Sequence, residues 1–289
     1  MIVVGYNDTP DCERALEWAA SEARRSGDKL RVVSATGMPT FADAGAGVMI
    51  DRQVIEDGAA EMAKIGAEKA SALGASDVEP HHSLGNPAEI LVEAAEGARV
   101  IVLGSRGRGP VLSALLGSVS YAVAAHAKCP VVVVRADAPS VGPQHPIVVG
   151  VDDSKPSQRA LAMACEVAAE RGAPLHLVAV WSQPAATIAA ASYVDGAVLM
   201  TAGEGIHEAV EAELRGTAAR LRTDHPDLSI TAEVIEGDPA SALAAEADRV
   251  GASMLAIGTR GRGGFRGMML GSVSHGVLHS AKCPVAIVR

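Results

Sequence analysis

One loop, with the residue types an anion site needs, occurs twice in the chain. Gly104-Ser105-Arg106-Gly107 is followed after nine residues by Gly117-Ser118; Gly258-Thr259-Arg260-Gly261 is followed at the same spacing by Gly271-Ser272. Glycine lets a backbone approach a ligand closely, and the first N–H groups of a helix, helped by its dipole, favour phosphate. Gly104 and Gly258 suit a sharp exit from a strand. Gly107 and Gly261 suit a loop that wraps phosphates, with Arg108 and Arg262 adding charge. Gly117 and Gly271 would open the helix start to an anion, which Ser118, Ser272 and the N–H groups of Val119 and Val273 could bind. A tight turn with a serine cap explains one copy equally well. A turn alone does not need the nine-residue spacing, and that spacing is kept across copies 154 residues apart, so two phosphate sites on two similar domains are expected.

The elements around the loops repeat too. Ile2–Tyr6 and Ile147–Val151 are continuous apolar, β-branched runs, as parallel strands covered on both faces should be. Polar turns follow, with Thr9 and Ser154 placed to cap a helix, and Gly27 and Gly172 placed to end it. Second strands are expected at Leu30–Ala35 and Leu175–Val180. The least similar segments, 37–58 and 182–203, are expected to be loops or lids, followed by helices near 59–73 and 204–223. Strands near 77–83 and 230–236 lead to helices capped by Asn86 and Asp238, with proline at the first helical position. The strands Val100–Leu103 and Met254–Ile257 run straight into the glycine loops. Helices from near Ser118 and Ser272 and last strands at Val131–Val134 and Val285–Val288 complete each half. Such alternation predicts two α/β domains, each a doubly wound, Rossmann-like, five-stranded parallel sheet: 1–137 and 147–289, joined by a proline- and glycine-rich linker at 138–146.

Composition narrows the function. Hydrophobic residues make up 48% and aromatics only 2%, which suits small-residue helices packed on a sheet and excludes disorder. Net charge is −9, and neither half has the basic excess of a nucleic-acid binder. The apolar runs are too short for a membrane span. The chain enters its first strand at once, with no room for a leader, so cytoplasmic residence is expected. Four cysteines without a C-x-x-C pair read as buried structural thiols. Other motifs fail. There is no P-loop lysine and no G-x-G-x-x-G after the first strand. His207-Glu208 does not extend to a zinc motif, because Glu211 stands where the second histidine belongs. The adjacent His81 and His82 fall on opposite faces of a strand. No nucleophile–base pair or carboxylate dyad is repeated, so no catalytic or metal-ligating residue is expected.

The chain resembles the universal stress protein family in its tandem two-domain form, over nearly its whole length. The residues that carry the resemblance are the opening strands to Asn7 and Asp152, Gly85-x-Pro87-Ala88 with Gly237-x-Pro239-Ala240, and Gly-Ser-Arg-Gly-Arg-Gly at 104–109. With them stand Gly-Thr-Arg-Gly-Arg-Gly-Gly-Phe at 258–265, Leu-Gly-Ser-Val-Ser at 116–120 and 270–274, and Cys-Pro-Val at 129–131 and 283–285. The resemblance implies ATP, with magnesium, on the glycine loops, with Ser120 and Ser274 in the phosphate motif. Gly5 and Gly150 stand in the opening strands. The residue ending each of those strands, Asn7 or Asp152, would lie beside adenosine, and backbone near Ala35 or Val180 would meet adenine. It also implies pairing of domains, related by a pseudo-two-fold, through their last strands, a possible homodimer, and a regulatory role in stress or growth state. A slow ATPase, or an interaction module of the same fold without nucleotide, are the alternatives. One departure separates the copies: a carboxylate accepts bonds from two ribose hydroxyls, whereas the amide of Asn7 has one acceptor. Pro110 also stiffens the first loop. The second domain is therefore expected to bind ATP more tightly.

Overall fold

A computed structural model describes residues 1–37, 51–107, 116–139, 142, 144–182, 196–261 and 270–289, with side chains omitted at 196–204. The chain divides into two units, Met1–Ala138 with Pro284–Arg289, and Pro139–Cys283. The first unit runs β1 (Ile2–Gly5), α1 (Pro10–Ser26), β2 (Leu30–Thr36), α2 (Arg52–Ala72), β3 (Val78–Leu84), α3 (Pro87–Ala94), β4 (Val100–Gly104), α4 (Ser118–His126) and β5 (Val131–Val134). The second runs β6 (Ile147–Gly150), α5 (Lys155–Arg171), β7 (Leu175–Trp181), α6 (Gly196–Asp224), β8 (Ile230–Glu236), α7 (Pro239–Arg249), β9 (Met254–Gly258) and α8 (Ser272–Ser280), and the last strand is β10 (Val285–Val288).

In the first unit the strands lie in the order β3-β2-β1-β4-β5, all parallel. Val285, Ala286 and Ile287 of β10 pair antiparallel with Val133, Val132 and Val131; these are the two segments that the resemblance pairs. The second unit repeats the parallel order as β8-β7-β6-β9. Register repeats as well: Ile2 sits opposite Leu30 and Val100, as Ile147 sits opposite Leu175 and Met254. The central strands are buried along their length because right-handed crossovers place helices on both faces. The aliphatic core this needs is there, with Val3, Val4, Ile101, Ile147, Leu177 and Leu255 among its fully buried members.

Helix ends follow their local chemistry. Gly27 and Gly172 close α1 and α5 in the left-handed conformation, at φ 70° and 61°, which costs a residue without a Cβ little. Asn86 and Asp238 cap α3 and α7 through Ala88 N and Ser241 N. Ser154 caps α5 through Ser157 N, but Thr9 makes no cap bond; its hydroxyl donates to Asn7 Oδ1 at 2.8 Å instead. Part of the expected lids is helix. α2 begins at Arg52, because Asp51 accepts from Gln53 N, and α6 begins at Gly196. The rest of both lids, 38–50 and 183–195, lies outside the described residues.

The closest backbone approach explains the first glycine of each loop. A Cβ on Gly258 would lie 2.7 Å from Ser157 N and 2.8 Å from Pro156 C, and one on Gly104 would lie 2.8 Å from both Asp11 C and Cys12 N. The first turn of α5 or α1 is therefore seated directly on the strand end, so the glycine serves packing as well as the strand exit. Gly258→Ala should lower stability by roughly 1–3 kcal/mol, the usual cost of forcing an atom into packed backbone. Gly58→Ala, in exposed α2 with no atom within 4 Å of the new methyl, should raise stability by about 0.5–1 kcal/mol. Urea unfolding of both variants checks the pair.

Candidate functional site

A cavity of about 680 Å³ opens in the second unit at the C-terminal ends of its strands. That is where open α/β sheets receive ligands, and the volume is within the range of small-molecule sites. Six stretches of the sequence supply most of its walls. Gly150, Val151 and Asp152 end β6; Val178, Ala179 and Val180 end β7. Gly258, Arg260 and Gly261 begin the glycine loop, and Gly271 to Ser274 begin α8. Val210, Glu213, Leu214 and Thr217 of α6 and Pro239 and Leu243 of α7 close the sides.

At one end of the cavity the helix offers donors. α8 starts from Gly271 in extended backbone with no side-chain cap bond, so the first-turn N–H groups carry the orphan partial charge of a helix N-terminus. Gly271 N is bound to Thr259 O at 2.8 Å. The hydroxyl of Ser274 lies 2.9 Å from Gly258 O and 3.0 Å from Thr259 O, and so ties the helix to the strand end. A Cβ on Gly271 would lie 3.3 Å from Thr259 O and 3.4 Å from Arg260 Cα. Glycine there lets the loop fold back upon the helix, whatever room it also leaves for a ligand.

Asp152 lines the same cavity. Its Oδ1 accepts from Ser154 N at 2.9 Å and Ser154 Oγ at 2.5 Å, and its own N–H donates to Ser157 Oγ at 2.9 Å. The remaining oxygen faces the loop: a Cβ on Gly261 would lie 2.6 Å from Asp152 Oδ2, so any larger residue there would have to displace the carboxylate. The cavity thus joins a row of N–H donors to a carboxylate whose orientation is set by Ser154.

In the first unit the equivalent residues occupy the same places. Gly5 ends β1, and Ala35 lies in β2 opposite Ser83. Gly117 N binds Ser105 O at 2.8 Å, Ser120 Oγ donates to Gly104 O at 2.7 Å, and α4 also starts uncapped, above Ser118 and Val119. Above Gly107, however, stands Asn7 Nδ2, at 3.5 Å from a Cβ built there. An amide donor takes the place of the carboxylate acceptor. Arg108 and Arg262 lie outside the described residues.

Sequence reading found the strand ends and the loop but not the side walls. Leu214, Thr217 and Leu243 look like ordinary helix residues, and only the crossovers bring them over the strand ends. It also missed a buried polar cluster: His176, Glu233 and Glu246 place one ligand atom each within 4.8 Å of one another. That is a metal-like spacing, but Arg249 donates to Glu246 Oε2 at 2.6 Å and to Glu233 Oε2 at 2.9 Å, so a guanidinium already neutralises the acids. His176 lies between Thr231 Oγ1 at 2.7 Å and Glu246 Oε1 at 2.8 Å. The four cysteines are free thiols. Burial pushes Cys165 up to about 11 and Cys283 up to about 12, so neither is a thiolate at neutral pH. No described helix is long and apolar enough to cross a membrane.

The sequence pattern of the universal stress protein family matches the chain twice, over residues 1–135 and 144–289. The chain belongs to that family. A universal stress protein of Mycobacterium tuberculosis is 32% identical over 302 residues, covering 100% of this chain and 96% of its own length. A second from the same organism is 31% identical over 301 residues, with 100% and 96% covered. Among solved structures, a universal stress protein from Archaeoglobus fulgidus shares the fold at TM-score 0.73 and 22% identity, covering 100% of this chain and 97% of its own. Tandem family domains over the full length agree with the repeated register of the two sheets.

The cluster around Glu246 gives a pH prediction. Glu246 is 4% exposed; burial alone would raise its pKa, but hydrogen bonds from Arg249 and His176 outweigh it and hold the carboxyl below its ordinary value. A carboxylate lowered in the folded state contributes stability above its unfolded pKa and loses it as pH falls through the folded one. Arg249→Leu should therefore move the acid-unfolding midpoint to higher pH, read by circular dichroism. An unchanged midpoint would show that the pair is energetically idle.

Proposed function

We propose that this protein binds ATP, with magnesium, in the second-unit cavity and acts as a nucleotide-dependent regulator of stress response or growth state. One observation supports this most: a single cavity is lined both by an uncapped helix N-terminus and by Asp152, whose Oδ2 faces the loop. Phosphates suit the first, since backbone N–H groups and the helix dipole both favour anions. A sugar diol suits the second, because a carboxylate accepts from both hydroxyls. The apolar faces of Val180, Leu214 and Leu243 between them suit a flat base. The residues present thus fit the whole nucleotide, and Gly261, with no side chain to displace Asp152, keeps the acceptor in place. A metal ion bound with the phosphates would neutralise their charge there; the chain's own part is to hold the phosphates on N–H donors and orient the sugar.

Holding is favoured over turnover. The carboxylates that line the cavity are Asp152 and Glu213, and Asp152 already spends one oxygen on Ser154. No described histidine, cysteine or lysine lines the cavity, so among its described walls the role of general base would fall to Glu213.

Titration calorimetry with ATP and magnesium tests the reading. Asp152→Ala should weaken binding at least tenfold, since bonds to a charged acceptor are worth about 1.5–3 kcal/mol each, and should weaken 2′-deoxy-ATP less. Equal affinity in the variant and the wild type would remove the sugar assignment. Mass spectrometry of ligand released from gently purified protein would identify the bound species directly. Recovery of intact ATP supports a sensor, and sustained ADP release supports the slow ATPase.

A further inference from the structure

The two units differ in charge at the first turn of the helix after their opening strand. In the second unit, α5 begins Lys155-Pro156-Ser157-Gln158 with no acid in its first turn, whereas α1 in the first unit begins Pro10-Asp11-Cys12-Glu13 with two. Both turns lie directly against the first glycine of the loop, so whatever charge they carry is felt there. Asp11 is 6% exposed, and its Oδ1 accepts the hydroxyl of Ser105, the loop's second residue. Its counterpart Pro156 leaves the hydroxyl of Thr259 buried without a hydrogen-bond partner. The first turn of α5 thus brings no acid to Thr259. The sugar end shows the reverse: Asp152 presents a carboxylate oxygen above Gly261, and Asn7 presents an amide nitrogen above Gly107. Between the two units the acid has changed ends.

A second difference makes the first unit stiffer. Tyr6 donates to Glu13 Oε1 at 2.5 Å, and Lys69 donates to Tyr6 Oη at 2.8 Å, Glu13 Oε1 at 2.5 Å and Asp8 Oδ1 at 3.1 Å. The cluster bolts α1 and the turn after β1 to α2. The helix ends align through Leu73 N to Lys69 O and His225 N to Leu221 O, so Leu221 stands where Lys69 does. Val151 and Gln158 stand for Tyr6 and Glu13, so the residues of this cluster are not repeated beside α6, the helix that lines the second unit's cavity.

We propose that the chain holds one nucleoside triphosphate, in the second unit, and that Asp11 closes the first unit's loop to polyphosphates. The inference rests on the ATP reading above. Glu13 is neutralised by Lys69, but Asp11 opposes the positive end of α1, which would otherwise attract phosphate, and a carboxylate buried beside the loop repels anions with little solvent screening. Lys155 does the opposite at α5, adding its charge to that of the helix end.

Calorimetry with magnesium ATP on the whole chain reads the stoichiometry. One site per chain is expected, abolished by Gly271→Arg and retained in Gly117→Arg. Lys155→Glu changes an exposed side chain and should leave the melting temperature in place while weakening ATP binding roughly fivefold or more, an effect fading at high salt. Asn7→Asp with Asp11→Asn, which installs the sugar-end carboxylate and removes the buried acid, should add a second site per chain. Two sites in the wild type, or an unaltered affinity in Lys155→Glu, would overturn the inference and leave the ATP reading standing. A double variant that melts normally and still binds one ATP would overturn the role given to Asp11. No ATP binding by the wild type would overturn both readings.

Discussion

The contact that everything else depends on is backbone against backbone, where the first turn of α5 rests on Gly258 and that of α1 rests on Gly104. It holds the turn after the opening strand and the start of the glycine loop in van der Waals contact, although they are about a hundred residues apart. Asp152 can stand over Gly261 only because this contact exists, and the loop can fold back on Gly271 only because its own start is pinned. A methyl group at either strand end would push the two halves of the candidate site apart.

Given that contact, the site is a matter of which groups are already spent. Ser274 is spent on two carbonyls, Ser154 on one oxygen of Asp152, and Arg249 on both acids beside His176. What remains available to a ligand is the start of α8 and the second oxygen of Asp152. Such economy is how a fold converts a polar surface into a directional site: internal hydrogen bonds fix every group but the few that a ligand will meet. In the first unit the same frame spends its groups differently, with Ser105 tied to Asp11 and Tyr6 and Glu13 tied to Lys69. One architecture thus supports two local chemistries.

Most of the fold was legible from residue types. Continuous β-branched runs gave the parallel strands, left-handed glycines marked the ends of α1 and α5, and Asn86-Pro87 and Asp238-Pro239 announced their helices. These are local effects, set by backbone dihedrals and nearby hydrogen bonds. The errors occurred where local signals conflicted. Low similarity across 37–58 and 182–203 suggested loops, but Asp51 caps a helix within the first, and α6 already begins at Gly196. Thr9 had the composition of a cap and lost its hydroxyl to Asn7, a choice between two nearby acceptors that composition does not decide.

The sequence by itself determined the family, the duplication, the alternation of strands and helices, and the list of loop residues, because all of these rest on spacing along the chain. The tertiary structure alone decided what each loop residue faces. That Leu214 and Leu243 wall the cavity, that Gly261 lies beneath a carboxylate while Gly107 lies beneath an amide, and that Asp11 reaches Ser105 ninety-four positions away follow from crossovers that return each helix over its sheet. Pairings across such distances leave no periodic trace in the sequence, since nothing between the partners has to repeat for them to meet.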